Sequence, residues 1–259
     1  MKFSSFVFLL SILVFSSSCE HDKLETETNQ TITDSRLEFI SKHKLIVPEP
    51  SGLTISLDGK FLWTVSDETS TLYKISFNGE CLDSIKLDGI DMEGVTNFGA
   101  NEFCIITERD RGLLFLDSTK TVKKRILLDL NGNLNMGIEG VTYSPKNKHL
   151  YILNEKKPTL LLELDENYSI INKHILDYAT DFSGLNYDEG HDLLWMISDE
   201  NKSIFKTDLT GKLLDTFKLD IPQIEGIAID FQTNLIYIVS DITECLYVFK
   251  INSETGAIN

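Results

Sequence analysis

The chain has 259 residues, 42% of them hydrophobic, and its 40 acidic side chains outnumber the basic ones by enough to give a formal net charge of −16 at pH 7. That balance argues against nucleic acid and anionic membrane surfaces as partners and in favour of cations. The four cysteines lack metal-ligand spacing, so a cysteine-held zinc scaffold is excluded.

Taken in chain order, residues 1–18 come first. Lys2 precedes a ten-residue apolar run, Phe6 to Phe15, about half of the roughly 20 residues that span a bilayer. The run suits the core of a signal peptide. Ser16-Ser17-Ser18-Cys19 resembles a bacterial lipobox, in which the cysteine is lipidated and becomes the mature N-terminus. It departs from the pattern at Ser16, where Leu is commonest, and ordinary secretion is the rival reading. Cleavage before Cys19 would remove Lys2 and leave a net charge near −17. Residues 19–35 are polar and acidic and read as a flexible tether. The expected location is therefore the bacterial cell envelope, at the outer membrane or the periplasmic face, with the membrane touched through the lipid anchor alone.

From residue 36 to 259 the chain repeats itself. Five segments open alike, as Pro50-Ser51-Gly52-Leu53, Met92-Glu93-Gly94-Val95, Ile138-Glu139-Gly140-Val141, Phe182-Ser183-Gly184-Leu185 and Ile224-Glu225-Gly226-Ile227. The Gly-to-Gly steps are 42, 46, 44 and 42 residues. An acid follows each Gly by 14 or 15 residues, at Asp67, Glu108, Glu155, Asp199 and Asp241. Within a repeat, alternating apolar runs flank turns such as Asp58-Gly59, Asn78-Gly79 and Thr210-Gly211, which are hairpin signals. Four antiparallel strands in about 40 residues, at this period, predict an all-β, five-bladed β-propeller. The last repeat runs out one strand short, and Leu37 to Val47 is a strand-like segment with no repeat of its own. This N-terminal strand is expected to close the last blade and remove an open edge. A monomer is expected.

In a propeller the first strand of each blade lines the channel and the second runs antiparallel beside it. Ser51, Glu93, Glu139, Ser183 and Glu225 then form an inner ring at one mouth, and the five strand-end acids form a ring outside it. Glu49, Asp91 and Asp181 lie two residues before the inner ring in their blades. Carboxylates so crowded repel one another and suffer raised pKa values unless a cation neutralises them. Oxygen ligands without His or Cys select Ca²⁺. The expected metal ligands are Glu93, Glu139 and Glu225, with Ser51, Ser183, Asp67 and Asp199 as direct or indirect partners. The plainer reading of Asp67 and Asp199 is that they cap turns, since Asp commonly bonds turn amides.

Other candidates are weaker. None of the five histidines stands at nucleophile spacing from a Ser or Cys, and no nucleophile elbow, phosphate loop or metalloprotease helix is present. Arg109 and Arg111 beside Glu108 and Asp110 read as a surface ion-pair cluster. Trp63 and Trp195 read as packing between blades, and Cys104 as a small core residue. Cys81, Cys104 and Cys245 allow one disulfide at most.

The series SGLTIS, VSDET, LYKIS, MEGVT, ITERDRGLLFLD, IEGVTYSPKNKHLYILNEKKP, FSGLNYD, ISDENKSIFKTDLTG, PQIEGIAID and IYIVSD resembles the SdiA-regulated family of bacterial β-propellers, distant relatives of the NHL-repeat proteins. The likeness runs from about Leu45 to Phe249. It implies a five-bladed propeller, exported and often membrane-attached, with a calcium site in the fold and no established reaction. The expected function is a non-catalytic, calcium-binding module whose faces bind an envelope protein or glycan. The alternative is a Ca²⁺-dependent hydrolase of lactones, esters or phosphoesters.

Overall fold

The computed structural model describes residues 34–89, 91–99, 102–130 and 137–252. The expected signal peptide, Cys19 and all but the end of the expected tether lie outside these residues. The described residues form twenty strands. After β1 (Leu37–Lys44), the first blade is β2 (Pro50–Ile55), β3 (Leu62–Ser66), β4 (Thr71–Ile75) and β5 (Cys81–Lys86). The second is β6 (Met92–Asn97), β7 (Phe103–Thr107), β8 (Gly112–Leu116) and β9 (Val122–Leu127). The third is β10 (Ile138–Ser144), β11 (His149–Asn154), β12 (Leu160–Leu164) and β13 (Ile170–Ile175). The fourth is β14 (Gly184–Asp188), β15 (Leu193–Ser198), β16 (Ser203–Thr207) and β17 (Leu213–Lys218), and the last contains β18 (Ile224–Asp230), β19 (Leu235–Ser240) and β20 (Cys245–Ile251).

Each blade is a four-stranded antiparallel sheet in sequence order, except that the last runs β1-β20-β19-β18. The N-terminal strand thus supplies the missing fourth strand, in register from Leu37 opposite Ile251 to Lys44 opposite Cys245. Described residues include no helix.

The alternation of a strand, with successive side chains on opposite faces, explains where the core sits. In β7, Phe103 and Ile105 pack with Trp63 and Val65 of the first blade, while Cys104 and Ile106 pack with Ile138 and Ile152 of the third. In β11, Leu150 and Ile152 face back to the second blade, and Tyr151 and Leu153 face forward to Phe182 and Leu185. Every core cluster is shared by two neighbouring blades, including the one that joins Leu45, Val47 and Leu53 to Val239 and Leu246 across the closure. The middle strands are buried on both faces, which is why they read as near-continuous apolar runs. The fourth strands β5, β9 and β13 are mostly exposed. Trp63 meets Phe103 edge-on across its interface, with centroids 5.0 Å apart, and Trp195 lies in the interface of the last two blades. Cys104 is fully buried, and Cys81, Cys104 and Cys245 are all free.

The inner strands approach closely around the axis. A Cβ built at Gly52 would stand 2.7 Å from Gly94 Cα, and one at Gly94 would stand 2.7 Å from the Glu139 carbonyl oxygen. Gly52 also has φ +38°, which an L side chain rarely adopts. Glycine after each inner Ser or Glu is therefore a requirement of crowding at the axis.

Candidate metal centre

The channel mouth at the start of the first strands is a cavity of about 250 Å³. All five inner residues line it, as do Asp67, Glu155, Asp199 and Asp241 of the outer ring, together with Glu49, Asp181 and Lys156. The topology brings the two rings to one end, as the strand order requires.

How each inner Glu comes to face the channel is a matter of register. Pairing of the first two strands slips between Met92 and Gly94, between Ile138 and Val141, and between Ile224 and Gly226. Bulges of this kind leave a residue unpaired and re-aim its side chain, and the residues so placed include Glu93, Glu139 and Glu225. The outer acids are fixed by main-chain bonds. Glu108 N donates to Asp91 O at 2.9 Å, Glu155 N to Gly137 O at 2.9 Å and Asp241 N to Gln223 O at 3.0 Å. Glu49, Asp91 and Gln223 occupy equivalent positions in three blades and all have positive φ, of 41°, 51° and 42°. Such backbone strain costs on the order of 1 kcal/mol or more per residue and gathers at functional sites.

The serines lace blades together. Ser51 Oγ stands 2.8 Å from both the backbone oxygen and Oε2 of Glu93, and Ser183 Oγ donates to Ile224 O at 2.5 Å. The turns after the second strands are capped by the serine preceding the acid. Thr69 N donates to Ser66 Oγ at 3.0 Å, and Asn201 N to Ser198 Oγ at 3.1 Å. The turn-capping expected of Asp67 and Asp199 is thus done by their neighbours; Asp67 faces the cavity, and Asp199 lines it while pairing with Lys202. Asp181 differs: it is buried, accepts from Ser198 Oγ, and accepts from Glu200 N at 3.2 Å. Its role is to hold that turn.

Cations stand outside the inner ring. Lys202 pairs with Asp199 at 2.6 Å, Arg109 with Asp91 at 2.5 Å, and Lys156 with Glu155. The arginines do not form the single surface cluster expected of them. Asp110 pairs with Arg125, and Arg111 is buried, being 8% exposed.

The electrostatic result follows from burial and like charge. Burial, then Asp67, push the Glu93 carboxyl up to about 8, against the lowering effect of the Ser51 hydroxyl. Burial, then Glu93, raises Glu139 and Glu225 well above the ordinary carboxylate range. Burial, then Asp91 and Glu49, push Asp67 to about 6. Burial is also the main reason that Glu108, Glu155 and Asp241 are raised. A charged inner ring needs protons or a metal. The tightest grouping is Glu108, Glu139 and Glu155, whose nearest oxygens lie within 4.8 Å of one another. Sequence reasoning placed Glu108 and Glu155 in the outer ring without singling them out. The missing signal was that Glu139 leans toward the strand ends of its own and the preceding blade.

A sequence model described as SdiA-regulated matches residues 28–250. The chain belongs to the SdiA-regulated family. Among solved structures, this SdiA-regulated propeller is similar to Myxococcus xanthus glutaminyl cyclase, with a TM-score of 0.68, 12% identity, and 83% of this chain and 96% of that one covered. It is also similar to a streptogramin B lyase, with a TM-score of 0.50, 15% identity, and coverage of 84% and 74%. A luciferin-regenerating enzyme gives a TM-score of 0.52, 15% identity, and coverage of 82% and 94%. At these identities the likeness is one of fold.

Proposed function

We propose that the acidic mouth binds Ca²⁺ and that the chain is an exported, lipid-anchored, non-catalytic binding module of the cell envelope. The observation that carries the metal reading is the inner ring itself. Three bulge-placed glutamates crowd one cavity, and the nearby cations pair with acids outside that ring. The donors are carboxylates and hydroxyls, the hard oxygens that suit Ca²⁺, which takes six to eight of them in irregular geometry. Glu93, Glu139 and Glu225 would be the main ligands, with Glu108 and Glu155 close enough to Glu139 to join them. Ser51, Ser183, Asp67 and Asp199 would serve as direct, water-mediated or supporting partners. The partner would be an envelope protein or glycan meeting the faces of the ring.

The test is isothermal titration of chelator-stripped protein with Ca²⁺ and Mg²⁺, joined to melting curves. Binding by the native state alone raises the melting temperature in proportion to ln(1 + [L]/Kd). The expected result is a Ca²⁺ isotherm that is lost in Glu139→Gln. A silent titration and an unmoved melting curve would reject the site.

One observation favours a second reading, a Ca²⁺-dependent hydrolase. Glu93, pushed to about 8, sits 2.8 Å from the Ser51 hydroxyl, and a group that titrates near neutrality suits general acid–base work. Screening lactone, ester and phosphoester panels with Ca²⁺ present separates the two. Turnover that disappears in Glu139→Gln would displace the binding-module reading, and a flat panel alongside Ca²⁺ binding supports it.

A further inference from the structure

The other end of the channel has the opposite chemistry. Beyond the glycine collar, Leu53, Val95, Val141, Leu185 and Ile227 converge on the axis, all 5% exposed or less. The void remaining at this level is about 10 Å³, about the least that admits one water. The acidic mouth and the far mouth are therefore separate compartments.

Past this apolar ring the channel opens into a second cavity of about 420 Å³. Its floor is Leu53, Val95, Val141 and Leu185 of the ring, and its wall includes Ile55, Leu57, Asn97, Tyr143, Tyr187 and Ile229, so that all five blades contribute. The size falls within the roughly 300–1,000 Å³ of small-molecule pockets, which are mostly apolar with a few placed polar groups.

The polar side chains of the wall are spent on rigidity. Asn97 Nδ2 donates to Ile55 O and, at 3.1 Å, to Thr54 Oγ1 of the preceding blade. Asn186 Oδ1 accepts from Ile229 N at 2.8 Å, and Thr142 Oγ1 accepts from Tyr187 N at 3.1 Å. These bonds lace three of the five neighbouring pairs of inner strands together and occupy polar groups that would otherwise face the cavity. The Tyr143 ring is braced by Phe98, with centroids 4.9 Å apart. Glu189 is the only charged side chain among the described residues lining the cavity.

We propose that this far mouth is a binding site for a small, uncharged, mainly apolar molecule of one or two ring systems. The absence of Lys or Arg from its described lining residues and the presence of Glu189, in a chain of net charge −16, disfavour carboxylates and phosphates. Burying a cation there would leave it without a paired partner deeper in the wall. The site shares no lining residue with the acidic mouth, so it stands or falls apart from the Ca²⁺ reading.

N-phenyl-1-naphthylamine, an uncharged two-ring-system fluorophore, is the probe, titrated into the intact chain. Saturable, blue-shifted emission with one site per chain is expected. Leu57 is 63% exposed on the rim, so Leu57→Asp leaves folding intact, and it should weaken the dye about tenfold. Ile55→Asp should do at least as much, with a melting curve to confirm that it is folded. Ile175→Asp, at a 74% exposed site on an outer strand, should change nothing. The proposal is overturned if emission does not saturate, if Leu57→Asp binds the dye as wild type does, or if Ile175→Asp abolishes binding.

Discussion

Glu139 concentrates the electrostatic problem of the ring. It is raised by burial and then by Glu93, Glu225, Glu155 and Glu108 in turn. A carboxyl whose folded pKa lies above its usual value of 4.5 binds more protons folded than unfolded. For Glu93, the stabilising effect of its proton is complete below about 4.5 and is lost as pH rises through about 8. The chelator-stripped protein should therefore melt higher at pH 5 than at pH 8. With saturating Ca²⁺ the trend should reverse, because the metal binds the charged carboxylates. Melting curves at both pH values, in chelator and in Ca²⁺, check this, and a stripped protein more stable at pH 8 would contradict it. The candidate acids were legible in the sequence because each stands at a fixed offset from a Gly. Ser51 and Ser183 were legible in the same way, but their bonds were not, since those of Ser51 to Glu93 and of Ser183 to Ile224 cross between blades and no spacing within one repeat encodes them.

At the scale of elements, β1 is the piece whose loss should be felt most. Its pairing with β20 and the segment after it place Leu37, Leu45 and Val47 in buried positions, 3%, 2% and 0% exposed. Leu45→Ala should cost about 2–5 kcal/mol, the range for emptying a buried leucine site, read as a drop in the urea midpoint with an unchanged slope. Deleting residues 36–47 should cost far more and leave β20 with an unpaired edge. A midpoint unmoved by Leu45→Ala would mean that the closing segment adds little. The strand itself was legible from composition and from the shortfall in the last repeat. The register irregularity between Phe39 and Ser41 was not, and neither were the bulges that turn Glu93, Glu139 and Glu225 into the channel. A bulge depends on which residue of the partner strand it faces, and a period-2 pattern does not record that. The apolar far mouth also escaped notice, because its lining residues read as ordinary core until the inner strands are set in a ring.

At the scale of the whole molecule, the proposal is that Cys19 carries a lipid anchor ahead of the propeller, and Cys19 lies outside the described residues. Cys19→Ala should release soluble protein or block its maturation, followed by detergent partitioning. Native protein found in the aqueous phase would favour ordinary secretion. Under the anchor proposal the lipid would do the holding, since a strongly acidic body gains nothing from an anionic surface.

Leu37 and Ile251 are partners in register although they lie near opposite ends of the described chain. Contacts so distant in sequence carry the largest loop-closure entropy and form late. A chain synthesised from its N-terminus offers β1 first and must wait for β20 to arrive last. During that interval the first and last blades each show a bare flank to solvent, with Leu53 and Leu62 on one and Val239 and Leu246 on the other. The slow step in maturing this protein should be the meeting of its two ends, and the interval before it is when a chaperone has most to protect.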